Sequence, residues 1–159
     1  MTDGQDVLTS LLSSSTRTWH LSNGLGAASR GSASGAATRR DHAWLALPPI
    51  GDVPADVALL RFDDRVTEPG GATFELTPGF VLSARRDQAP LLGARANSLP
   101  LLESFDDQPW PRWRWRGADW VIERELRMVE GHTALVATWR LIEGDSLRLH
   151  VAPLLVARA

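Results

Sequence analysis

The sequence predicts a mainly β protein, an antiparallel β-sandwich, and three observations carry that prediction. Short apolar runs recur along the chain with Gly- and Pro-rich turns between them. Arg112-Trp113-Arg114-Trp115-Arg116 alternates with a period of two, Trp on one face and Arg on the other. Leu147, Leu149 and Val151 alternate in the same way against Arg148 and His150.

Taken in order, residues 1–16 hold Val7, Leu8, Leu11 and Leu12 at helical spacing, and read as a short lead-in. Residues 17–159 read as one domain, a size that can bury a core. Strands are expected over Thr18–Leu21, Ala43–Leu47, Val57–Phe62 and Thr73–Leu76, with further ones near Val81 and Leu91. Pro48-Pro49, Gly51-Asp52, Pro69-Gly70-Gly71 and Pro78-Gly79 separate them. The last third predicts a meander of at least four strands: Arg112–Arg116, Trp120–Met128, Thr133–Ile142 and Leu147–Val156. That final strand stops at Arg158-Ala159 with no closing turn, so we expect the chain to continue in a parent protein or a partner to cover it. An uncovered strand of this kind predicts an exposed apolar patch and self-association.

Composition removes several function classes. The net charge of −2, with acids and arginines mixed along the chain, gives no footprint for nucleic acid or an anionic membrane. Absence of Cys excludes disulfides and thiolate chemistry, and absence of Lys excludes Schiff bases and a phosphate-loop lysine. There is no signal-peptide pattern and no apolar window of membrane-spanning length, so a soluble, cytoplasmic protein is expected.

The most distinctive stretch runs from Trp19 to Trp44. It breaks at Asn23-Gly24-Leu25-Gly26, passes through small residues from Ala27 to Ala37, and ends on Thr38-Arg39-Arg40-Asp41-His42. It reads as a folded loop or hairpin that presents Arg39, Arg40 and His42; the structural alternative is an arginine ion-paired to Asp41. Gly24-x-Gly26 lacks the βαβ setting of a dinucleotide site, and Gly31–Gly35 misses the spacing of a serine nucleophile elbow. The histidines show no metal-ligand spacing, and no metal or cofactor is expected.

Trp113 and Trp115 read as core residues, whereas Trp110, between Pro109 and Pro111, reads as a loop residue able to stack on a sugar. Asp63-Asp64, Asp106-Asp107 and Glu123/Glu125 have the residue types of glycosidase carboxylates but read as solvated, Glu123 and Glu125 on the wet face of a strand.

Asn23-Gly24-Leu25-Gly26 followed by Ser34-Gly35-Ala36-x-Thr38-Arg39-Arg40-x-His42 resembles the opening motif of the N-terminal domain of bacterial and archaeal-type glycogen debranching enzymes, the amylo-α-1,6-glucosidases. Pro48-Pro49, Glu103-Ser104-Phe105, Pro109-Trp110-Pro111 and Arg124–Arg140 follow in the family's order. The resemblance implies a supersandwich, galactose-mutarotase-like, packed on a helical (α/α)6 catalytic domain, in cis or as a separate chain. That domain, not this one, would carry the carboxylates that hydrolyse α-1,6-linked glucose in an α-glucan. Asn23, Arg39, Arg40, His42 and Trp110 are the implied substrate-binding or domain-interface residues, with no catalytic residue in this chain. Asp41 stands where the family has Tyr, which removes an aromatic and offers an arginine a partner. A free-standing carbohydrate-binding or assembly module is the alternative, and a fragment that only stabilises a partner is a third.

Overall fold

The computed structural model describes residues 16–52, 55–83, 91–95 and 101–156. The lead-in expected over the first sixteen residues falls outside them, apart from Thr16.

Twelve strands follow in order: β1 Thr18–Ser22, β2 Ala28–Ser32, β3 Ala43–Leu47, β4 Asp56–Thr67, β5 Thr73–Glu75, β6 Gly79–Ser83, β7 Leu91–Arg95, β8 Leu102–Asp106, β9 Arg112–Arg116, β10 Val121–Met128, β11 Leu135–Glu143 and β12 Arg148–Leu155. All pairings are antiparallel. One sheet is ordered β1-β2-β3-β4-β12 with β5 also on β4; the sheet packed on it is ordered β11-β10-β9-β8; β6 and β7 form a separate pair. No helix among the described residues is long and apolar enough to cross a membrane.

Tryptophans fill the space between the two main sheets. Trp19, Trp44, Trp113, Trp115 and Trp120 are all at most 5% exposed and join Leu59, Val66, Leu76, Ile122 and Leu126 in one cluster. Trp113 is central: Trp19 meets it edge-on at 5.7 Å, Trp44 stacks on it at 6.1 Å and Phe105 tilts against it at 5.1 Å. The alternation of Arg112–Arg116 thus does what its pattern implies, burying both tryptophans and leaving the arginines on the outer face.

Three expectations are corrected. The final meander does not hold together: β12 leaves β11 and pairs with β4 in the other sheet, while β8 takes the fourth place in the smaller sheet. β4 runs past Phe62 to Thr67, because Asp64 and Val66 continue its inward face. Asp64 and Glu125 are not solvated; they are 2% and 5% exposed.

Candidate functional site

The segment from Asn23 to His42 is built as a hairpin and a buried crossing. Asn23 closes the β1–β2 turn: its Oδ1 accepts from Leu25 N–H at 2.8 Å and Ala27 N–H at 3.1 Å. Its Nδ2 donates to the His132 carbonyl at 3.0 Å, and Gly131 N–H donates to the Asn23 carbonyl at 3.2 Å. Asn23 is therefore a buried brace between two turns.

The small residues beyond it are small because they run inside the sandwich. Gly31, Ser32, Ala33, Ser34, Gly35 and Ala36 are all buried. Trp19 Nε1 donates to the Ser32 carbonyl at 3.1 Å, and Trp113 Nε1 to the Ala33 carbonyl at 2.7 Å. A Cβ on Gly31 would lie 2.7 Å from the Trp19 ring, so the hairpin fits only without one.

The crossing ends on a group that the sequence reading missed. Arg124 is wholly buried, its guanidinium carbon 4.7 Å, 4.2 Å and 5.0 Å from the ring centres of Trp44, Trp113 and Trp115. Nη1 donates to Asp64 Oδ2 at 2.8 Å and to Thr77 Oγ1 at 2.6 Å. Trp139 Nε1 donates to the same Asp64 oxygen at 2.8 Å. Burial pulls the Arg124 guanidinium below its ordinary range, and Asp64 opposes that shift. Gly35, at φ +78°, would place a Cβ 3.2 Å from Arg124 Nη2. Gly35 thus belongs to the wall around this ion pair.

A sequence signal for the pair existed. Arg124 shares a period-two face with Ile122, Leu126 and Met128, and Asp64 shares one with Phe62 and Val66. Each is a charge interrupting an otherwise apolar face.

The polar cluster after the crossing divides. Arg39 and Arg40 are exposed, but His42 is buried at 4%, which corrects the reading that it is presented outward. Its Nδ1 accepts from Thr38 N–H at 3.2 Å, and its N–H donates to the Arg39 carbonyl at 3.2 Å through the backbone. Desolvation lowers its pKa below 6.5, against a hydrogen bond to the Ala36 backbone and the charge of Asp41. Asp41 does meet an arginine, Arg30, at 3.7 Å across the surface.

Trp110 lies in the β8–β9 loop beyond a cis Gln108–Pro109 bond, half-buried, with the Arg127 guanidinium 5.7 Å from its ring centre. Arg127 in turn is bound to Glu125, which lies 3.5 Å from Arg112. Apart from the backbone bond between His42 and Arg39, no hydrogen bond, ion pair or ring contact among the described residues joins Asn23, His42, the two exposed arginines and Trp110. A shallow cavity of about 480 Å³ opens along β4 and β12 beside the Arg124 cage, its lining including Asp63, Asp64, Arg65, Glu75, Thr77 and His150. No group of three or more His, Asp or Glu among the described residues is placed to hold a metal.

The sequence profile of the family described as glycogen debranching enzyme N terminal matches residues 17–159. No curated protein and no solved structure matches the chain. The matched span takes in the braced turn, the buried crossing, the Arg124 cage and both sheets, so the chain belongs to the glycogen debranching enzyme N-terminal family.

Proposed function

We propose that this domain is a non-catalytic partner of a helical catalytic domain that hydrolyses α-1,6-linked glucose in an α-glucan, and that it helps to shape the sugar site. The family match over residues 17–159 carries this reading. The disposition of the acids supports it: Asp64 is committed to Arg124 and Trp139, and Glu125 to Arg112 and Arg127.

Arg39 and Arg40 are the contact residues in this proposal. They are exposed at the end of a segment whose other half is fixed inside the core, so their backbone is held while their side chains reach solvent. A planar guanidinium can grip a carboxylate of the neighbouring domain or several sugar hydroxyls. Asn23 and His42 position that segment from within.

The test is glucose release from a branched α-glucan by the chain together with its helical domain. The chain alone should release none. Arg39→Ala with Arg40→Ala should lower kcat/KM about tenfold, equivalent to about 1.4 kcal/mol, without moving the unfolding midpoint. Unchanged kcat/KM would remove the arginines from the site. Glucan binding by the chain alone, lost on Trp110→Ala, would instead favour a free-standing binding module.

A further inference from the structure

The larger sheet is wider than the sheet packed on it. β11, the last strand of the smaller sheet, lies over β4: Trp139 donates to Asp64 and its ring meets Phe62 at 5.5 Å. β12 lies one strand further out, and its inward face is uncovered among the described residues. Leu149, Val151 and Leu155 pair with Val66, Asp64 and Leu59 and so share their face. Yet they are 37%, 39% and 72% exposed, against 0%, 2% and 7% for those partners. Leu141, inward on β11 opposite Ile122, is 40% exposed beside the same ledge. Apart from Leu25 and Ile50, every exposed large hydrophobic residue described lies on β11, β12 or at Val156.

Two strand edges that are unpaired among the described residues border this ledge, and they differ. β12 carries Pro153, which has no N–H; its ladder with β4 continues on both sides, so the gap falls on the outer edge. That edge resists strand addition. β11 has nine residues, Leu135–Glu143, without a proline, and its free edge faces the space above the ledge.

We propose that the β11 edge and the β12 ledge form an acceptor site for one extended strand from another polypeptide segment. The strand pairs along β11 and extends the smaller sheet over β12. Its inward side chains are apolar and cover Leu149, Val151 and Leu155. Its outward face is acidic opposite Arg140, an exposed arginine that makes no ion pair with a described residue.

A second copy of the chain does not fit. A copy pairing β11 with β11 brings its own β4 beneath that strand, into the space β12 already fills. Pairing β12 with β12 puts Pro153 of both copies in the new ladder.

The experiment is amide hydrogen exchange of the 159-residue chain with a synthetic peptide as long as β11, alternating Val and Leu with Thr and carrying one central Glu. Alternate amides of Leu135–Glu143 should slow about tenfold at saturating peptide, with no change along the outer edge of β12. N-methylation of the peptide's pairing amides should abolish the effect, and a central Lys should weaken it. Val151→Glu on the half-exposed ledge should remove it; urea unfolding checks that this variant stays folded. No slowing at millimolar peptide, slowing at β12 instead, or equal slowing by a helical peptide of the same composition would overturn the proposal. So would a chain that already sediments as a dimer with β11 protected. The readout involves no glucan, so it stands or falls apart from the hydrolytic reading.

Discussion

Two arginine–carboxylate contacts of the same 2.8 Å length lie on opposite faces of the smaller sheet, Arg124–Asp64 inside and Arg116–Glu143 outside. Inside, both side chains are 0% exposed; outside they are 44% and 52% exposed. The outer contact belongs to a ladder in which Arg116 also binds Glu103 at 2.7 Å and Arg114 binds Glu103 at 2.9 Å. Hydrogen bonds from Arg116 hold Glu103 and Glu143 below the usual carboxylate range, and those carboxylates hold the Arg116 pKa up. Water already solvates these groups, so each is replaceable. The inner pair has tryptophan faces in place of water. Bond length therefore says little about what a contact does; the medium around it decides.

The strongest way to break this contrast is Asp64→Ala. It leaves the buried guanidinium with three indole faces and one hydroxyl, and strips Trp139 of its acceptor. A loss of about 3–5 kcal/mol is expected in urea unfolding, as for other buried pairs cut on one side. A loss below about 1 kcal/mol would mean that water or Thr77 can stand in for the carboxylate. Replacing both partners, Asp64→Leu with Arg124→Met, sharpens the point: most of that loss should return, because no charge is left uncompensated.

Much of the frame around this pair was legible beforehand. Alternation at Trp113 and Trp115 gave the core face of β9, and the Gly and Pro punctuation gave most turns. The apolar faces around Arg124 and Asp64 marked each as a buried charge, but not that the two would meet. Arg124 and Asp64 are 60 residues apart, and only the packing of β10 on β4 brings them together. The Gly- and Ala-rich stretch was recognised as folded, but its partners, Trp19 and Trp113, lie on strands that pattern alone does not place beside it. His42 was misjudged for the same reason: local company implied a displayed cluster, whereas the crossing pulls it inward. β12 alternates equally well for either sheet, so its departure from the meander left no mark in its own residues.

Gly35→Ala comes next in size. Its positive φ and the 3.2 Å approach to Arg124 Nη2 should together destabilise by about 1–3 kcal/mol. In the Asp64→Leu, Arg124→Met background the part due to the guanidinium should disappear, leaving the backbone part. An equal cost in both backgrounds would detach the glycine from the ion pair.

His42 gives a smaller effect that depends on pH. Its pKa in the folded chain lies below 6.5, so on acidification the unfolded chain takes up this proton first. Its contribution is intact above 6.5, declines as pH falls from 6.5 toward the folded pKa, and is level below it. Urea unfolding at neutral pH and at about pH 5 should show that decline, and His42→Gln should flatten it. A slope that survives the substitution would point to other groups. Smallest of all is Glu143→Gln, which cuts the outer ladder. It should leave the urea midpoint unmoved within error at high salt, where exposed charges are screened.

The way β1 is tied down has a kinetic consequence. Arg17, just before it, holds Phe105 and Asp107, 88 and 90 positions later, and Asn23, just after it, holds His132, 109 positions later. Trp113 reaches back 80 positions to Ala33. Closing such distant contacts slows folding. On a ribosome adding about 5–20 residues per second, the first strand waits on the order of ten seconds for the turn that secures it. For most of that interval Trp19 and Trp44 have no Trp113 to pack against. The domain is thus a late closer, most exposed to misassembly while its second sheet is still being made.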